Sequence, residues 1–90
     1  MSYQKWAEIS SDKRAAHGSV ILMLEQDLEQ GGWYLRGYDR EGTETLESWH
    51  GSLGGAQAWA GSQFGAETIG AWSDVPDGPG DPVRYALRRR

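Results

Sequence analysis

The chain of 90 residues has no cysteine, which excludes disulfides, thiolate nucleophiles and cysteine-ligated metal. It has two histidines, His17 and His50, too few and too far apart for a zinc pattern. It has one phenylalanine, Phe64, and three prolines, gathered in Pro76-Asp77-Gly78-Pro79-Gly80-Asp81-Pro82. The longest apolar run is Val20-Ile21-Leu22-Met23-Leu24, far short of a membrane span. No hydrophobic stretch opens the chain, so no secretion signal is expected, and a cytoplasmic protein is. No G-x-S-x-G elbow, Walker loop or G-x-G-x-x-G fingerprint occurs, and the spacing of Asp74, Asp77 and Asp81 does not match a calcium loop. Neither cofactor nor metal is expected, and no residue is assigned as catalytic.

What is present is aromatic, glycine-rich and acidic. Five tryptophans and four tyrosines place large amphipathic rings in a small core. Thirteen glycines suit turns and hairpins more than a helical bundle. Between Ala15 and Val83 stand eleven acids against Arg36 and Arg40, a charge of −9, whereas Arg84, Arg88, Arg89 and Arg90 make the end basic. Such a body repels a phosphate backbone and attracts cations, so nucleic acid is not an expected partner. The basic end reads as a solvated tail.

Val20 to Leu24 has no polar alternation, which marks a strand buried on both faces, within Ser19 to Asp27. Trp33 to Asp39 reads as a second strand, with Tyr34, Arg36 and Tyr38 on one face. Asp39-Arg40-Glu41-Gly42 has the composition of a hairpin loop, and Thr43 to His50 a third strand. Ser52 then caps a helix to Phe64, with Leu53, Ala56, Trp59, Ala60 and Phe64 on one face and Gly65 at its end. Thr68 to Val75 reads as a fourth strand. The alternation of Val83, Tyr85 and Leu87 reads as a short edge strand. Residues 3–16 read as a short helix or irregular arm, because Tyr3, Trp6 and Ile9 lie three apart.

The order β-β-β-α-β predicts an α+β fold, a two-layer unit with an antiparallel three- to four-stranded sheet and one main helix on one face. One domain, 1–90, is expected, with a core over 18–76, a Pro/Gly-rich loop over 76–82 and a C-terminal segment over 83–90. One helix covers one sheet face. The second needs the N-terminal arm, the C-terminal segment or a second copy of the chain, and a homodimer is expected.

Trp33-Tyr34-Leu35-Arg36-Gly37-Tyr38-Asp39, Gly42, Trp49-His50-x-Ser52-Leu53-x-x-Ala56, Phe64-Gly65 and Trp72 together resemble a group of small bacterial proteins without assigned function. Their pattern is a G-W-Y…D-x-x-G hairpin followed by W-H-x-S-L-x-x-A at a helix start, over about residues 20–75 here. Gly54 and Gly55 stand where that group has an acidic pair. The resemblance implies the fold and no chemistry.

Tyr34, Arg36, Tyr38, Trp49, His50 and Trp72 form the candidate interaction surface. As a general base, His50 would need Glu47 or Glu44 beside it. A ring bonded to the local turn is the simpler expectation. Tyr34, Tyr38 and Trp33 with Arg36 suggest a base-stacking platform, but the acidic surroundings oppose it. The expected function is a non-enzymatic binding or assembly module, acting through protein–protein contact or homodimerisation. The alternative is an acidic inhibitor or immunity-type protein that neutralises a basic partner.

Overall fold

The computed structural model describes residues 4–10, 18–76 and 80–90. Tyr3, residues 11–16 of the expected N-terminal arm, His17 and Asp77 lie outside the described residues. The fold class is the expected one: α+β, built on an antiparallel sheet. The strands are β1 (Gln4–Glu8), β2 (Ile21–Gln26), β3 (Trp33–Tyr38), β4 (Glu44–His50) and β5 (Ser73–Asp74), in spatial order β4-β3-β2-β1-β5. Helix α1 (Leu53–Phe64) follows β4, and helix α2 (Pro82–Arg89) follows β5.

β2 is the central strand. Val20 to Leu24 is at most 3% exposed at every position, as its unbroken apolar run demands. Leu22 and Leu24 point to the α1 side, with Ile9, Leu35, Ala56, Ala60 and Phe64. Ile21 and Met23 point to the other side, with Val20, Val75 and Ala86. Trp33, Leu46, Leu53, Trp59, Ile69 and Trp72 close around the first cluster, and Trp6, Tyr38, Val83, Tyr85 and Leu87 around the second.

α1 forms where its apolar spacing places it. The Ser52 Oγ accepts the Gly55 N–H at 3.0 Å, satisfying a donor that the first turn leaves free. Gly65 ends it at φ 86°, and its N–H bonds the Gly61 carbonyl. The Thr68 hydroxyl folds back onto the Phe64 and Gly65 carbonyls and seals the C-terminus. Gly54 is exposed, and a Cβ there meets nothing within 4 Å. Gly54→Ala is therefore expected to stabilise by about 0.5–1 kcal/mol, read as a raised urea midpoint with an unchanged slope. Gly55→Ala gains less, because its Cβ comes within 3.1 Å of the Ser52 Oγ.

Three elements differ from expectation. Residues 4–8 are a strand, not a helix or an arm: β1 pairs with β2 in the register Trp6↔Met23 and Ala7↔Leu22. The three-residue spacing of Tyr3, Trp6 and Ile9 is misleading, because the operative period is two. Ala7 and Ile9 are fully buried on the α1 side, while Trp6 turns to the other. The expected strand over 68–75 shrinks to Ser73–Asp74 beside β1, with an isolated bridge from Ile69 to Ile9. A 3₁₀ turn, Ala66–Thr68, occupies its start.

The third difference is α2. Residues 83–87 are helical rather than an edge strand, because Asp81 and Pro82 form a helix start: the Asp81 carboxylate accepts the Val83 N–H at 2.9 Å, and Pro82 occupies the first turn. Arg88 and Arg89 fall in the last turn, where the helix dipole favours cations. α2 lays Val83, Ala86 and Leu87 on the second sheet face, so the C-terminal segment, one of the three expected covers, supplies part of it, as a helix and not as a strand. Gly42, at φ 84° in the β3–β4 hairpin, brings the hairpin tip against Val83 and Leu87. Among the described residues no helix is long and apolar enough to cross a membrane.

Candidate functional site

α2 covers only one end of the second sheet face. Its partners are Ile21, Met23, Tyr38, Val75 and Trp6. Pleating carries Tyr34, Arg36 and Tyr38 of β3 onto this same face, and the pairings Tyr34↔Trp49, Arg36↔Glu47 and Glu25↔Tyr34 bring Trp49, Glu47 and Glu25 beside them. The end holding Glu25, Tyr34, Arg36, Glu47 and Trp49 lies beyond the cluster that α2 joins. Four of the six expected surface residues, Tyr34, Arg36, Tyr38 and Trp49, therefore share one face.

His50 and Trp72 do not belong to it. His50 pairs with Trp33 on the α1 side, its ring 5.4 Å from that of Trp59 and its Nε2 2.8 Å from the Ser48 Oγ. Trp72 packs against the α1 cluster. Neighbours along a strand point to opposite faces, so Trp49 and His50 cannot serve one sheet surface. The same alternation puts Glu47 across β4 from His50, and the bulge at Gly37/Tyr38 brings Glu44 round to the Glu47 side, 3.4 Å from the Arg36 Nε. The geometry does not assemble the general base that would need His50 beside Glu47 or Glu44.

Arg36 is the hub of the open face. Its Nη1 donates to Glu25 and its Nε to Glu47, each at 2.8 Å, and its guanidinium lies 4.8 Å from the Tyr34 ring centroid. Partial burial opposes the charge, but the hydrogen bonds and attraction of Glu25 and Glu47 outweigh it and hold the guanidinium above its ordinary range. Gln4 also donates to Glu25, at 3.2 Å. Three carboxylates around one guanidinium leave the cluster net negative.

Trp49 stands at the rim, 46% exposed. Its position is set by a glycine: a Cβ on Gly32 would come within 2.2 Å of the indole and 2.6 Å of the His50 carbonyl. Gly32 lies on the Tyr34 side of the pleat, diagonal to Trp49, so the indole lies against bare backbone. Sequence reasoning missed Gly32, Glu25, Glu44 and Glu47 as members of the site. The carboxylates were findable, because an arginine in mid-strand within an acidic segment draws carboxylates from the adjoining strands. The role of Gly32 had no such signal.

Tyr38 sits where the open end meets α2. Burial pushes its hydroxyl pKa up, Arg36 opposes this, and Glu44, Glu25 and Asp81 add to it. A raised pKa means that the folded state holds the proton when the unfolded chain releases it. The stabilisation is thus complete below about pH 10 and lost as pH climbs through the raised value. Tyr38→Phe is expected to lose less stability than the wild type between pH 9.5 and 11.5, measured by urea unfolding at stepped pH.

Three other arginines meet between the β3–β4 hairpin tip and α2. Arg40, Glu41, Arg84, Leu87 and Arg88 line a shallow groove of about 270 Å³, and Arg89 stacks on Tyr85 at 4.7 Å. Arg88 and Arg89 thus belong to the helix and not to a loose tail. Comparison with protein-family models, with curated proteins and with solved structures gives no match for this chain.

Proposed function

We propose that this chain is a non-enzymatic protein-binding module that docks a cationic protein segment on the open end of its sheet. The observation that carries this is the exposed, glycine-seated Trp49 beside Tyr34 and the net-negative Glu25/Glu44/Glu47/Arg36 cluster. An aromatic anchor flanked by carboxylates suits lysine and arginine, through ring-face attraction and charge pairing. The acidic inhibitor or immunity-type role is one form of this reading, with a basic toxin-like protein as the target. The homodimer loses part of its motive, since α2, one of the three covers expected for the second face, covers one end of it from within the chain. The cytoplasm is the setting this reading takes, a compartment compatible with a cysteine-free chain.

The test is titration with charge-matched lysine-rich, neutral and glutamate-rich peptides at low and high salt. The lysine-rich peptide alone is expected to bind, and to weaken as salt rises. Trp49→Ala is expected to cost about 30-fold in affinity, an anchor's share of about 2 kcal/mol, with little change in the unfolding midpoint. Equal binding of the acidic peptide, or undiminished affinity in Trp49→Ala, defeats the proposal.

A further inference from the structure

The sheet ends at β4, which at seven residues is its longest strand. Its inner side pairs with β3 along its whole length. Among the described residues, no backbone hydrogen bond reaches its outer side from another element. An edge like this is a template for a further strand.

Its side chains say which strand. Glu47 and Trp49 point to the open face, with Glu44 brought round by the bulge, while Leu46, Ser48 and His50 point to the α1 side. A second copy of β4 in full antiparallel register sets Glu47 opposite itself, and slipped registers still press two net-negative clusters together. Like charges across strands destabilise pairing. Charged edges of this kind block self-association. They do not block a strand of opposite sign.

We infer that the cationic segment of the reading above binds as an added β-strand along β4, with lysine or arginine at alternate positions on the Glu47/Trp49 side and apolar residues between them on the Leu46 side. The inference rests on that reading and adds the mode of recognition. Main-chain pairing supplies affinity that depends little on sequence, and the alternating cations supply the selection. An incoming cation opposite Glu47 shares a carboxylate with Arg36, and its neighbour two positions along reaches the Trp49 ring.

The probe is an eight-residue peptide of alternating lysine and valine, titrated into the full chain labelled with nitrogen-15. Its comparators are the same peptide with every backbone nitrogen methylated, which cannot donate to a ladder, and its lysine-to-glutamate counterpart. The plain peptide is expected to bind, to slow exchange of alternate β4 amides by about tenfold or more, and to lose about tenfold or more in affinity when methylated. Glu47→Lys is expected to weaken the lysine peptide and to admit the glutamate one. If the methylated peptide binds equally well and the shifts map to Tyr34 and Trp49 without protection of β4, strand addition is wrong while face docking survives. If no lysine-rich peptide binds in any form, both readings fall.

Discussion

Ala86→Asp is expected to destabilise the fold by about 3–5 kcal/mol, a large share of the roughly 5–15 kcal/mol that holds a small domain together. Ala86 is the one fully buried residue of α2, and it belongs to the cluster of Val20, Ile21, Met23 and Val75. A small residue there lets the helix approach the sheet closely. A carboxylate in its place has no cation within this apolar cluster, so either it takes up a proton or α2 lifts from the sheet. Lifting bares the second face of β2. The expected signs are a falling urea midpoint, new binding of a hydrophobic dye, and partial rescue at low pH where the carboxyl is neutral. Ala86→Gly serves as the size control and is expected to cost only about 1 kcal/mol. An unchanged midpoint in Ala86→Asp would mean that α2 contributes little to the cover of that face.

That helix marks where sequence reading ran out. The centre of the fold is plain in the chain: Val20 to Leu24 could only be a doubly buried strand, and Ser52, the Leu53-to-Phe64 spacing and Gly65 delimit α1 closely. Each signal there was both local and redundant. Over residues 81–87 the loop-and-strand reading passed over a helix start. Val83, Tyr85 and Leu87 alternate as in a strand, while Asp81-Pro82 is a helix start, and the cap prevailed because it fixes the first turn's donors and φ angle together. Residues 4–8 were misread for the converse reason. A three-residue spacing of large side chains suggested a helix, but β2 had an edge to fill, and tertiary pairing overrode the local pattern.

The candidate surface was half legible. Parity along β3 correctly joined Tyr34, Arg36 and Tyr38, and the same rule, applied to β4, separates Trp49 from His50. Which end of that face stays open depended on where α2 lands, and no local pattern carries that. The charge imbalance between the body and the end of the chain was visible at once. Its division into an Arg36-centred acidic cluster and an arginine-lined groove needed the register of β3 against its neighbours.

Leu35→Ala is expected to cost about 2–5 kcal/mol and to loosen α1 more than the sheet. Leu35 is fully exposure-free at the middle of β3, in the cluster with Leu22, Leu24, Ala56, Ala60 and Phe64. Two of the three buried residues the helix brings to that contact, Ala56 and Ala60, are small, so much of the bulk between them comes from the sheet. α1 also carries Gly54, Gly55 and Gly61, which lower its own propensity, and it leans on packing for its stability. Truncating Leu35 removes sheet volume that two alanines cannot replace. Hydrogen exchange is the discriminating measurement. The α1 amides are expected to fall well below the protection that global unfolding allows, while the β2 amides keep protection matching the remaining global stability. Leu35→Met, close in volume, is expected to cost under about 1.5 kcal/mol and to leave the α1 amides protected. If Leu35→Ala lowered protection equally in β2 and α1, helix and sheet would form a single cooperative unit, and α1 would not be the element that depends most on its packing.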